Sequence, residues 1–421
     1  MIRKWAFRAV IAYLLFGIAM YAYLFYLADT SIPDMLKGTK ADPTTFLDAR
    51  ELMLTEEYSR IRNLMFFLAT PYEWLFYYLV LILGISAAFE RWSNSVSKWF
   101  IIKVGIYLFW LSLASFVVMF PLSYISYMIS KSYHISTQVF SSWMKDKLID
   151  FWVEFGTMFV IITVLYALMR KFKRRWWLAA WVLSIPFSIF MMFIQPVLID
   201  PLYNEFYPLK DKELETKILT MADVANIPAH HVYEVDMSSK TNALNAYVTG
   251  VGSNSRIVLW DTTLERLSDE EILFIMAHEM GHYVEKHIYF GIAGYVLLTL
   301  IGLWLTAKIM EKWIGRRGGA WKVEKMTHIS SLPAFLLITS ILLFAASPLT
   351  NWVSRYQETR ADTYAIKMTQ DKEAGIQTFQ SLTKAGLSQV NPPYLVKIFR
   401  YGHPTMLERI NMIEKYELDE K

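Results

Sequence analysis

Cysteine is absent from the 421 residues. That removes a disulfide framework, a thiol nucleophile and any Cys-ligated zinc site. Charge is scarce as well: Asp, Glu, Lys and Arg make up 19% of the chain, with a net charge of only +4. The basic residues gather at the ends of apolar runs, a pattern that suits membrane flanks and argues against a nucleic-acid partner. Histidine is rare too, with eight in the whole chain. Any metal must therefore be held by a few His, Asp and Glu side chains.

What is abundant is apolar surface. Hydrophobic residues make up 55% and aromatic residues 16%, well above an ordinary soluble protein. Seven apolar segments approach or exceed the length that crosses a bilayer. They lie near residues 5–27, 74–90, 99–122, 151–169, 176–198, 288–309 and 329–350. The first follows Arg3, Lys4 and Arg8 and reaches Leu27 without a convincing cleavage site, so it reads as a retained span and not a signal peptide. Residues 46–67 alternate charge and apolar side chains like an amphipathic helix, and residues 90–95 read as a short turn between spans two and three. After Pro121 the chain is expected to leave the third span, with a polar connector over 128–150. Glu154, inside the fourth span, faces either a polar chamber or the headgroup region. The expected division is a membrane domain over 1–199, a catalytic segment over 200–287, spans six and seven over 288–350, and a C-terminal catalytic segment over 351–421.

The chemistry concentrates in residues 275–283, where His278, Glu279 and His282 form a His-Glu-x-x-His pattern. Residues four apart share a helix face, so the two imidazoles can meet one ion, and the carboxylate beside them can reach a water activated there. Ser268 and Glu271 form a capping box that starts this helix. Before it, residues 232–236, 244–249 and 256–260 read as short strands, with a turn at 250–252, giving a small antiparallel sheet.

A hydrolytic zinc site needs a third protein ligand. A His six residues after His282 would supply it in one large class, but position 288 is Ile and His287 is off by one. Glu285 is too close on the same helix, and Glu311 and Glu324 fall in the connector across the membrane. The next carboxylate back on the near side is Glu358. It follows span seven by about as many residues as separate His282 from span six, so the two reach similar heights. Asp362, one turn further on the same face, suits a bond that orients a ligating His. His403, before a proline-started helix, and Arg409, two turns along, are candidates either for stabilising an oxyanion or for capping at the surface. The expected cofactor is one zinc ion per chain.

Taken together, His278 to His282, the Glu358 and Asp362 helix after two spans, Asn245, Ala246 and Tyr247, and the closing His403, Pro404 and Arg409 resemble the CAAX prenyl protease type 1 family, related to HtpX-like proteases. The resemblance covers nearly the whole chain. It implies a mainly α fold: a polytopic seven-helix transmembrane bundle enclosing a water-filled chamber, capped by a zincin-like metalloprotease domain. It also implies zinc on His278, His282 and Glu358, Glu279 as general base, Asp362 behind a ligand, and His403 and Arg409 at the transition state. Asn245, Ala246 and Tyr247 would lie on an edge strand that pairs with substrate backbone. The implied partners are the lipid bilayer and a peptide or protein substrate, lipidated or membrane-associated. Short connectors suggest a bacterial member in the plasma membrane, where quality control of membrane proteins is the alternative to CAAX processing; a non-enzymatic zinc-binding membrane protein is the rival class. The family resemblance puts the active site on the cytosolic side, whereas the basic connectors at 170–175 and 308–325 put it outside.

Overall fold

The computed structural model describes residues 2–229, 231–249 and 256–418. Among them, seven helices are long and apolar enough to cross a membrane. The first span is α1 (Ile2–Ala22), prolonged by a wider turn to Leu27. The second is α2 (Ala49–Ile82), started by a capping box between Asp48 and Glu51. At 34 residues it runs ~51 Å, far more than a bilayer core needs. The amphipathic stretch over 46–67 and the span expected at 74–90 are thus parts of one helix, whose charged first turns stand above the membrane. It ends at Gly84, whose positive φ of 73° turns the chain into α3 (Ile85–Val96). The expected turn at 90–95 is therefore helical.

The next two spans are also longer than expected. In α4 (Phe100–Ser132) the helix runs through Pro121 for three more turns. The polar connector shrinks to residues 133–139 before α5 (Phe140–Lys171). Polar side chains on these helix ends lowered the apolar average without breaking the helix. The fifth span is α6 (Trp176–Ile194), continued by tight turns to Leu202. Between α2, α4, α5 and α6 lies a cavity of about 820 Å³, lined by Glu73, Tyr77, Ser115, Asp150 and Glu154 among apolar side chains. Of the two readings of Glu154, the chamber-facing one holds.

Beyond the fifth span come β1 (Phe206–Pro208), α7 (Lys212–Val224), β2 (Val232–Val235), β3 (Ala246–Thr249), β4 (Arg256–Trp260), α8 (Asp261–Arg266) and α9 (Asp269–Val284). The four strands form one sheet in the order β1-β2-β4-β3. The sheet is mixed and not antiparallel as expected. β1–β2 and β3–β4 are antiparallel, but β2 and β4 run parallel. The chain from β2 enters β3 outside the position β4 takes, which leaves β3 at the edge. Its turn into β4, at 250–252, lies outside the described residues. Val232, Ala246, Ile257 and Leu259 share the inner face, where they pack on Ile272, Met276 and Met280 of α9. Alternation along each strand supplies that face.

Spans six and seven are α10 (His287–Trp321) and α11 (Leu332–Thr369). At 38 residues, α11 is long enough to cross the bilayer and rise ~25 Å beyond it alongside α9. The chain closes with α12 (Lys372–Gly386), α13 (Tyr394–Phe399) and α14 (Met406–Lys415). Phe274 and Ala277 of α9, Ala365 and Ile366 of α11, Phe379 of α12 and Ile410 of α14 share one core.

Candidate metal centre

The site begins with the start of α9. Ser268 Oγ accepts the Glu271 N–H at 3.3 Å, and Glu271 Oε2 accepts the Ser268 N–H at 2.9 Å, which closes the capping box. The other Glu271 oxygen accepts from Ser381 Oγ at 2.9 Å, pinning α9 to α12. With its start fixed, α9 presents His278 and His282 one turn apart toward α11. Gly281 lies between them and makes the approach possible: a Cβ there would sit 3.1 Å from the Ala361 Cα.

The donors converge. His278 Nε2 and His282 Nε2 are 3.2 Å apart. Glu358 Oε2 is 3.2 Å from the first, and Glu358 Oε1 is 3.5 Å from the second. Ligands held at 2.0–2.2 Å around a tetrahedral ion would stand roughly 3.3–3.5 Å from one another. Glu358 Oε2 is also buried without a hydrogen-bond partner. A buried carboxylate oxygen left unpaired is costly unless a cation meets it. Among the described residues, His278, His282 and Glu358 are the one group of three such side chains able to hold a metal ion.

Behind His278 stands a second layer. Its Nδ1 lies 2.8 Å from Asp362 Oδ1, and Asp362 is fully buried. Arg409 on α14 clamps that carboxylate from both sides, Nε to Oδ2 at 2.8 Å and Nη2 to Oδ1 at 2.5 Å. Its guanidinium also stacks on Phe379 at 3.9 Å. Only 6% of Arg409 is exposed, which rules out the surface-capping reading for it. His403 differs: its side chain is 62% exposed, with Nε2 3.3 Å from Glu358 Oε2. Burial works against a charged His278, yet Asp362 and Glu358 outweigh it and hold its pKa up at about 9.

Glu279 is half-buried, and desolvation raises its pKa despite the opposing pull of His278 and His282. The backbone N–H of Val248 on β3 also works against that rise. Trp260 N–H donates to Asn245 O at 3.1 Å, so the 245–260 pair is hydrogen-bonded and alternation turns the main-chain groups of Ala246 and Val248 off the sheet. The free edge of β3 therefore runs beside Glu279, with Asn245, Ala246 and Tyr247 along it.

Glu285, set aside as a ligand on sequence grounds, is held elsewhere by Nε and Nη2 of Arg360 at 2.8–3.0 Å. His230 lies outside the described residues. The sequence reading missed one neighbour of the site. His287 is 7% exposed and places its Nδ1 2.9 Å from His282 Nδ1. Residue 287 of a continuous helix would lie ~140° around from residue 282. Lys286, with φ of 58°, breaks the helix and swings it back.

Comparison with known proteins matches two family models. Residues 208–417 match peptidase family M48, and residues 10–205 match the N-terminal region of CAAX prenyl proteases with its five membrane helices. The uncharacterised metalloprotease YhfN of Bacillus subtilis (strain 168) is 49% identical over 99% of this chain and 97% of its own length. CAAX prenyl protease 1 of Saccharomyces cerevisiae is 28% identical, covering 72% of this chain and 70% of its own. The crystal structure of S. mikatae Ste24p superimposes with a TM-score of 0.80 at 24% identity, covering 97% of both chains. That last likeness concerns the fold.

Proposed function

The chain belongs to peptidase family M48, and from that premise we propose a zinc endopeptidase of the bacterial plasma membrane, with CAAX-like processing of membrane-associated peptides. The observation that carries it is the convergence of His278, His282 and Glu358 within 3.5 Å of one another, with Glu279 alongside. A His-His-carboxylate donor set suits zinc, and its spacing fits a tetrahedral ion. When bound, zinc supplies Lewis acidity, lowering the pKa of a water and polarising the scissile carbonyl.

The protein's own residues do the rest. Glu279 takes the proton of the attacking water and passes it to the departing amine as the C–N bond breaks; its raised pKa brings it nearer the range where one group can do both. Asp362 accepts the Nδ1–H of His278 and so leaves Nε2 free to ligate. Arg409 spends its fork on Asp362, and we assign it to fixing that carboxylate instead of to the oxyanion expected from the sequence. His403, exposed and next to Glu358, is the group placed to donate to a developing oxyanion. Substrate backbone adds to the free edge of β3 at Asn245, Ala246 and Tyr247, pairing with the outward groups of Ala246.

Incubating the purified protein with a prenylated C-terminal peptide and, separately, with an unfolded membrane protein tests this reading. Cleavage of the prenylated peptide that stops on zinc chelation and returns with added zinc is expected. Activity that survives removal of all metal would overturn the metalloprotease assignment. Cleavage confined to the unfolded membrane protein would assign the quality-control role in place of CAAX-like processing.

A further inference from the structure

The two imidazoles of the metal group are supported differently. His278 rests on a carboxylate that is itself held by a guanidinium. The Nδ1 of His282 has no carboxylate partner among the described residues. It faces His287 Nδ1 at 2.9 Å, with the two rings 69° apart and their centroids 5.0 Å apart. That edge-on arrangement suits a hydrogen bond and not stacking.

Tautomer logic gives the bond a direction. An imidazole that offers Nε2 to a cation carries its proton on Nδ1, so His282 must donate there. His287 Nδ1 must then accept, which leaves the His287 proton on Nε2. A group that can only donate, or a group with no polar atom, would favour the His282 tautomer whose Nε2 is blocked. The contact is built and not incidental. His287 is 7% exposed, sits at the first position of α10, and reaches His282 only because Lys286 adopts the left-handed conformation. The nearby carboxylate that could have served, Glu285, is taken by Arg360.

We propose that His287 is a positioning residue for the metal centre: a neutral acceptor, carried on the first turn of span six, that sets the ring orientation and tautomer of His282. The proposal rests on the reading of His278, His282 and Glu358 as metal ligands. It makes retention of the ion depend on the junction between the sheet-bearing segment and the membrane bundle. The loss of such an outer partner weakens metal binding ~10–100-fold.

Zinc release tests it without using turnover. The full-length protein in detergent is loaded with zinc, and transfer of the ion to a chromogenic chelator is followed for wild type, His287→Phe and His287→Asn. Phenylalanine keeps a flat ring of similar size and removes the acceptor; asparagine places an oxygen near the position of Nδ1. Release should be about 10–100-fold easier from the Phe variant, whereas the Asn variant should stay within a few-fold of wild type. The metal-free forms should unfold at similar temperatures. Zinc held equally well by the Phe variant overturns the proposal, as does an Asn variant that loses it just as readily. If the Phe variant does not fold, His287→Ala is read in the same way. A wild type that binds no zinc would instead bring down the functional reading itself, so the two failures are told apart.

Discussion

Replacing Gly281 by alanine places a single methyl group where α9 and α11 approach closely beside the site. The added Cβ would meet Ala361 Cα and Tyr364 Cβ at 3.1 Å and Ala361 O at 3.3 Å. Two of these are main-chain atoms, and the third is fixed to the main chain. Neither rotamer change nor truncation of Ala361 relieves the contact, so the helices must move. Ordinary contact begins at 3.4 Å, which requires a separation of at least 0.3 Å (3.4 less 3.1). Metal sites tolerate about 0.2 Å in ligand distance. The displacement falls between the two imidazoles on α9 and the carboxylate on α11, so it acts on the donor set directly. Against it stands the better helix propensity of alanine, worth ~1 kcal/mol, while overpacking costs ~1–3 kcal/mol. Net stability should therefore fall by no more than ~2 kcal/mol, a change in melting temperature of only a few degrees. Metal retention should fall by about tenfold or more, on the scale of losing an outer-shell partner. Thermal unfolding of the metal-free form, zinc release to a chelator and peptide cleavage measure the three quantities separately. A Gly281→Ala protein that melts higher than wild type, holds zinc as tightly and cleaves as fast would refute the claim that close approach at Gly281 sets the site's geometry.

Other changes separate the roles. Glu279→Gln should keep the fold and the zinc content while cleavage drops to background, because an amide cannot move a proton; an active purified variant would sink the general-base assignment. His403→Ala should lower kcat ~10²–10³-fold with zinc content intact, and an unchanged kcat would remove His403 from the oxyanion role. Arg409→Met strands the Asp362 carboxylate without its cation in the core, at a cost of ~3–5 kcal/mol by thermal or denaturant unfolding; Arg409→Met with Asp362→Asn should recover much of that loss, and a double variant no better than the single would argue against the pairing.

How legible each part was depended on how local its cause was. The capping box at Ser268 and Glu271, and the ligand helix that follows, are written in consecutive residues and appear as expected. Glu358 was reachable because two spans carry the chain across and back, so topology substituted for contact information. The sheet was not legible in full. β2 pairs with β4 in parallel, and no property of either strand encodes which neighbour it takes. The second span was placed too late because the charged turns over 50–62 lower the apolar average of a helix that continues unbroken from Ala49 to Ile82. His287 escaped because its approach to His282 depends on the left-handed backbone at Lys286, for which lysine gives no signal. Arg409 was read by its spacing within one helix, whereas its position is set by Asp362 and Phe379 on two others.

Those non-local causes share a consequence. The candidate centre is assembled from α9, the top of α11 and the segment through α14, which lie far apart in sequence. Each is tied to the next by directional bonds and not by packing alone. Arg355 on α11 donates to the carbonyls of Lys397 and Tyr401 at 3.0 and 2.7 Å, and Asn351 donates to Ile398 O at 2.9 Å. These bonds hold the loop that carries His403 against the same helix that carries Glu358. Thr378 and Ser381 on α12 donate to the Glu271 carbonyl and carboxylate, returning the C-terminal segment to the start of α9. Because α11 is also the seventh span, a shift of that helix in the bilayer moves Glu358 and Asp362 together relative to His278 and His282. Reactivity at His278 to His282 is therefore a property of the whole closed circuit of α9, α11 and α12 to α14. The His-Glu-x-x-His helix supplies two of the three donors, and the membrane bundle decides whether they meet the third.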